Sequence, residues 1–463
     1  MNKKIMLDDT IAAIGTAVSN NAISIIKVSG GNSIEVVNKI FSKDLNKAKS
    51  HTITYGYILE ENKKIDEVLV SLFRAPKSFT CEDVVEINCH GGMFVTNKIL
   101  KLLLENGARL AEPGEFTKRA FLNGRIDLTE AESIMDVIES DTNQSLSLAT
   151  NGLFGKTKEL IKQFRETVLK CLLAIEVNID YPEYKDEEQI TENELLPRIN
   201  QMIRDIDIIL SKSEVSQILK NGIDTAIIGK PNVGKSSLLN SLIKEEKAIV
   251  TDIAGTTRDI VEGRVDIGGL VLNLIDTAGI RETNDVVEKI GVEKALNVLK
   301  NASLVILVLD NARSLNDVDI ELLNISKSKN RIIVINKKDL DNELDVKELD
   351  KYISDQEKKE CIYLSSYDNN DIEILEKAIK DKCKVSDINN IDATYIGNAR
   401  QIAKLKEAKN NLLQSLESIN NKMPIDMIGI NIKEAWVNLG EIIGEENPDS
   451  MIDELFSRFC LGK

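Results

Sequence analysis

At 463 residues the chain is long enough for about three domains of ordinary size, and its 42% hydrophobic content is ample for several cores. A net charge of −16 repels free nucleic acid, so DNA is excluded as a partner and any RNA contact requires a local basic patch or a basic partner. Six cysteines without a C-x-x-C pair read as reduced, cytoplasmic thiols, two histidines argue against a histidine metal site, residues 1–9 lack the apolar core expected of a signal peptide, and no apolar run nears the length of a membrane span.

Residues 1–120 mix β-like runs (Ala22–Ile26, Val84–Ile87) with a helical stretch over 99–106. From 121 the texture is helical. Leu160, Phe164, Val168, Cys171 and Ile175 recur at helical spacing, as do Leu195, Ile199, Ile203, Ile206 and Leu210. A strand–loop–helix pattern begins near 219 and runs to about 378. Helical spacing then returns through Ile402, Leu405, Leu412, Leu416 and Ile419. Asn447-Pro448 starts a last helix that buries Ile452, Leu455, Phe456 and Phe459. The expected division is 1–120 α/β, 121–218 helical, 219–378 a P-loop α/β domain and 379–463 helical again. Insertion of one domain into a helical domain is the economical reading, and two separate helical domains are the alternative.

Gly229-Lys230-Pro231-Asn232-Val233-Gly234-Lys235-Ser236 fits G-x-x-x-x-G-K-[ST] between the apolar run Thr225–Ile228 and the helical run Ser237–Leu242. The glycines let backbone N–H groups face phosphates at a helix N-terminus, with Lys235 reaching the β- and γ-phosphates and Ser236 holding Mg²⁺. Asn232, Val233, Gly234 and Ser237 complete this element. Switch I is assigned to Asp252–Asp259, where Thr257 is the chosen Mg²⁺ ligand and Thr256 lies beside it. Asp276-Thr277-Ala278-Gly279 follows the apolar run Leu270–Ile275, so Asp276 can reach Mg²⁺ through water and the Gly279 N–H can approach the γ-phosphate. Asn336-Lys337-Lys338-Asp339 follows Ile332–Ile335 and selects guanine, because a buried carboxylate would be left unpaired by adenine. Ser365 and Ser366 are the last base-contacting element. Ile280 stands where small signalling GTPases carry a water-orienting Gln, so an acid, an arginine (Arg258 or Arg281) or a second cation must serve instead.

Four segments outside this region carry a resemblance: Ala75–Asp83, Pro113–Asn123, Asp127–Glu132 and the ending Phe459-Cys460-Leu461-Gly462-Lys463. With the GTPase motifs they make the chain resemble, over essentially its whole length, the MnmE (TrmE) family within the TrmE-Era-EngA-like GTPases. The resemblance implies a K⁺-activated GTPase that works with an FAD-dependent MnmG-type partner as a heterotetramer. It implies addition of a (carboxymethyl)aminomethyl group to C5 of the wobble uridine of certain tRNAs, with a 5,10-methylene- or 5-formyl-tetrahydrofolate as one-carbon donor. It also implies a homodimer through a folate-binding first domain. By position, Asn232 with carbonyls in the loop from Thr251 through Ile253 to Thr256 would hold K⁺, and Glu288 would orient the attacking water. Lys27, Glu86, Arg125 and Lys463 would contact folate, and Cys460 falls on the position of the family's cysteine needed for modification. Departures fall at Asn21–Ser24, Lys27 (Arg in the family), Cys81 and Ser366. The competing reading is an assembly or switch GTPase, for instance in ribosome maturation, without folate chemistry. The terminal C-x-G-K argues against it.

Overall fold

The computed structural model describes residues 9–181, 190–243, 261–275, 298–385, 396–445, 449–457 and 459–462. They group into two compact units: Met1–Met135, Gly152–Ile203 and Lys404–Lys463 in one, Asp136–Asn151 and Arg204–Ala403 in the other.

In the first unit, β1 (Ile11–Ile14), β2 (Ile23–Ser29), β3 (Thr52–Glu60), β4 (Lys63–Phe73), β5 (Val84–His90) and β6 (Arg109–Leu110) form a sheet ordered β3-β4-β5-β2-β1-β6. The β3–β4 hairpin turns at Glu61 and Asn62, both at positive φ, the turn whose twist matches that of paired strands. Alternation sends Ile26, Val28, Val70, Leu72, Val85 and Ile87 into a core with Val37, Ile99 and Leu103 from the helices Ser33–Asn38 and Met93–Glu105. Lys27, Glu86 and Ser71 therefore share the opposite face, in register across β2, β5 and β4. Ile23, Ile53, Tyr55 and Leu69 are exposed on that face.

The helical part of this unit pairs Lys156–Asp180 with Ile425–Ile443. Phe164, Val168, Cys171 and Ile175 are buried at their expected spacing, and the Arg165 guanidinium lies 3.8 Å from the Trp436 ring centre. The last helix, Asp449–Phe456, packs Phe456 with Phe459 onto Leu128, Ala131 and Met135.

The second unit holds β7 (Ile223–Ile228), β8 (Val261–Asp266), β9 (Val271–Ile275), β10 (Leu304–Asp310), β11 (Arg331–Asn336) and β12 (Ile362–Leu364), ordered β12-β11-β10-β7-β9-β8. All pairs are parallel except β8–β9. β10 and β11 are buried at every residue, as central parallel strands read, with apolar cores on both faces. The segment 136–151 joins this unit through Leu148 on the core, Lys220–Asp136 and Arg264–Asp141. Because β7 lies between β9 and β10, the strand order reverses there. Ligands of such sheets bind outside the carboxyl ends of the strands at this point, where residues 229–236 lie.

Candidate functional site

The loop 229–236 carries the left-handed conformation at Asn232 (φ 66°) and Gly234 (φ 97°) before the helix Lys235–Ile243. A Cβ at Gly234 would sit 2.2 Å from Asn336 Nδ2, so the close approach, besides φ, requires glycine. Lys235 Nζ donates to the carbonyls of Gly229 and Lys230, both at 2.8 Å. Burial pushes its ammonium below the ordinary lysine range, and among the described residues it has no carboxylate partner. A desolvated cation held only by loop carbonyls fits a phosphate group. Ser236 and Ser237 follow in the first turn of the helix, both half-buried.

The guanine-type motif braces this loop. Asn336 ends β11, and its Nδ2 donates to the Val233 carbonyl at 2.8 Å. Lys337 Nζ donates to the Asn232 carbonyl at 2.8 Å and pairs with the buried Asp310 at 2.7 Å. Ser366 N–H and Oγ both donate to Asn336 Oδ1, at 3.2 and 2.9 Å. The Ser365 N–H donates to buried Asp371, which also pairs with Lys338. Asp339 is exposed beyond this network. Thus Asn232, Val233, Gly234, Lys235, Asn336, Lys337, Ser365 and Ser366 converge at the carboxyl ends of β7, β10, β11 and β12.

In the first unit, Lys27 Nζ donates to the Gly462 carbonyl at 3.4 Å and lies across from Glu86. Gly462 needs its positive φ (85°) and bare Cα, since a Cβ would meet the Ile14 carbonyl at 2.4 Å. Cys460 is exposed, and its carbonyl accepts the Gly114 N–H at 3.3 Å. Arg125 donates to the Phe79 carbonyl at 3.0 Å with its guanidinium 4.8 Å from the Phe79 ring centre. Lys27, Glu86 and the terminal tail are therefore brought together, and Arg125 joins the Ala75–Asp83 segment.

Thr251, Ile253, Thr256, Thr257, Arg258, Asp276, Thr277, Ala278, Gly279, Ile280, Arg281, Glu288 and Lys463 lie outside the described residues. Sequence reasoning missed Asp310, Asp319 and Asp371, which pair with motif lysines from far along the chain. It also missed the reason for Glu82, Glu115 and Arg119. Arg119, 1% exposed, donates to Asp9, Glu82 and Glu115. Burial works to raise the Glu115 carboxyl, but Arg109, the Glu112 N–H and Arg119 hold it below the usual range. These segment residues brace the first unit.

Two family models match the chain, one described as the MnmE helical domain over residues 128–460 and one as the N-terminus of the GTP-binding protein TrmE over residues 10–125. The tRNA modification GTPase MnmE of Bacillus cytotoxicus is 49% identical over 458 residues, covering 98% of this chain and 99% of its own. That of Bacillus licheniformis is 48% identical over 461 residues, covering 98% and 100%. Among solved structures, the G domain of the T. maritima FeoB iron transporter is similar over 35% of this chain and 98% of its own, at 27% identity and a TM-score of 0.24.

Proposed function

The chain belongs to the MnmE family of tRNA modification GTPases, and on that premise we propose a specific chemistry for it. It hydrolyses GTP and takes part in tRNA modification. The proposed reaction is K⁺-activated GTP hydrolysis coupled to addition of a (carboxymethyl)aminomethyl group at C5 of the wobble uridine. An FAD-dependent MnmG-type protein is the partner, and a 5,10-methylene- or 5-formyl-tetrahydrofolate supplies the carbon.

The observation that carries the nucleotide reading is Lys235, a half-buried ammonium held by two loop carbonyls and no acid among the described residues. On nucleotide binding Lys235 exchanges those carbonyls for β- and γ-phosphate oxygens. Asp339 accepts from the guanine N1–H and amine, while Asn336 and Lys337 keep the loop in shape. Ser236 and Thr257 would hold Mg²⁺, and Asn232 with carbonyls of Thr251, Ile253 and Thr256 would hold K⁺, both cations supplying positive charge against the phosphates. Asp276, Thr277, Ala278 and Gly279 would face the γ-phosphate, and Glu288 would orient water in the place that Ile280 cannot fill.

Lys27, Glu86, Arg125 and Lys463 would take the folate, whose charged tail suits two or three cations. The adjacency of Lys27, Glu86 and Gly462 supports this, and it brings Cys460 into the same unit. The exposed Ile23, Ile53, Tyr55 and Leu69 support a homodimer through the first domain. Among the described residues no helix is long and apolar enough to cross a membrane, and a cytoplasmic site of action is proposed. The proposed domains are 1–120, 121–218, 219–378 and 379–463. The test is reconstitution with the FAD protein, GTP, a methylene-tetrahydrofolate and unmodified tRNA, read by nucleoside mass spectrometry. Folate-dependent wobble modification is expected. GTP turnover without any modified uridine would return the chain to the assembly-GTPase reading.

A further inference from the structure

One buried ion pair in the second unit has no place in the roles above. Lys230, the second residue of the phosphate loop, is 8% exposed, and its Nζ lies 2.6 Å from Oδ2 of Asp319, which is 1% exposed. Asp319 sits in the first turn of the helix Asp317–Ile325. Its Oδ2 also accepts the Asn316 N–H at 3.2 Å, in a capping box with Asn316. Its Oδ1 is buried without a hydrogen-bond partner among the described residues. A lysine at a loop could extend its ammonium into water. Burying it costs desolvation that the pairing at best offsets, and an apolar pair of similar volume would serve stability as well or better. The pair therefore needs a reason other than stability.

We propose that Lys230 and Asp319 form a positioning pair that holds the phosphate loop ready for the nucleotide. The inference deepens the nucleotide reading and rests on residues 229–236 being the phosphate loop. Among the described residues, three side chains brace that loop from outside. Asn336 holds the Val233 carbonyl and Lys337 holds the Asn232 carbonyl, so the guanine-type motif fixes the downstream half. Asp319, from a different helix, fixes the upstream half through Lys230. The Lys230 carbonyl is one of the two that hold Lys235 Nζ. Pro231 follows, with its φ fixed by the ring, and then the left-handed Asn232. The anchored side chain on one side and the proline on the other leave this peptide little freedom. The carbonyl that parks Lys235 and the N–H groups that follow thus share one frame. Neither Lys230 nor Asp319 touches the reacting atoms in this scheme, so their loss acts on nucleotide affinity rather than on turnover.

The test uses the full chain with methylanthraniloyl-GDP as the binding probe and GTP for turnover. Lys230→Met/Asp319→Leu removes both charges together, and its melting temperature is expected to stay within about 4 °C of the parent. Its probe dissociation constant is expected to rise about tenfold or more while kcat at saturating GTP changes by less than about twofold. Lys230→Arg, which keeps the charge, is expected to bind within about threefold of the parent. A folded double variant that binds the probe like the parent overturns the proposal. If the double variant does not fold, Asp319→Asn, nearly isosteric, decides: binding weakened about threefold or more with kcat unchanged supports the pair, and parental binding overturns it. Lys235→Ala separates the two levels. Retained probe binding there removes the phosphate-loop reading and the inference with it, whereas lost binding there beside a parental double variant removes the positioning pair alone.

Discussion

Gly234→Ala probes the contact between the phosphate loop and the guanine-type motif. At φ 97° an alanine costs about 1–2 kcal/mol in backbone strain. Its Cβ would also lie 2.2 Å from Asn336 Nδ2, which cannot simply swing away. That amide is tied to the Val233 carbonyl on one side and to the Ser366 N–H and Oγ on the other. Breaking these buried bonds costs about 1–3 kcal/mol more. The sum, about 2–5 kcal/mol, falls on the arrangement that receives the nucleotide, so the GDP dissociation constant should rise on the order of 30-fold to several thousand-fold. Titration with methylanthraniloyl-GDP measures this, and a melting curve shows how much of the cost reaches the unit as a whole. Gly263→Ala is the matched control. Among the described residues its Cβ would meet only Leu274 Cδ1, at 3.8 Å, and binding should stay parental. A Gly234→Ala protein that binds GDP as tightly as the parent would refute the claim that Asn336 and the loop form one braced structure.

Arg119→Met should destabilise the first unit by about 1.5–3 kcal/mol, because Glu82 loses its cationic partner while Asp9 and buried Glu115 each lose one of two and keep Arg109; chemical unfolding with a parental midpoint would contradict this. Cys460→Ser should leave GTP turnover within about twofold of the parent and abolish wobble modification, since the exposed thiol lies in the other unit from the phosphate loop; normal modification would make Cys460 dispensable. For Glu357, burial works to raise the carboxyl, but hydrogen bonds from Arg331 and Ser354 bring it down to about 2. The folded value lies below the unfolded 4.5, so its stabilisation is full above that pH and lost as pH falls toward about 2. Urea unfolding at about pH 5 and about pH 3 should show a larger loss than Glu357→Gln shows, and equal losses in both proteins would remove Glu357 as a cause.

Much of the nucleotide site is written locally. The glycines, Lys235 and the apolar runs of β7, β9, β10 and β11 lie within a few residues of one another in each motif, and their periodicity identifies the strands. What braces the motifs is not local. Asp319 meets Lys230 across 89 residues, Asp371 meets Lys338 across 33, and Asp310 meets Lys337 across 27. A lone aspartate at a helix start or strand end carries no sign of a distant lysine, because N-terminal turns favour acids on their own account. Arg119 shows the same limit from the other side. Its segment was legible as part of a resemblance, but its burial among Asp9, Glu82 and Glu115 depends on three parts of the chain meeting. The grouping of 136–151 with 204–403 was equally hidden, since Leu148 and Asp141 look like ordinary helix and linker residues until their partners are placed.

We propose a cation-activated GTPase in which K⁺ held at Asn232 supplies the charge an arginine finger would give, while Glu288 takes the water-orienting place that Ile280 cannot fill. GTP turnover by the purified protein in KCl and in NaCl at equal ionic strength tests it most directly. A large acceleration specific to K⁺, lost in Asn232→Ala, is the predicted result. Equal turnover in the two salts would contradict the claim and leave water activation to an arginine or to a partner protein.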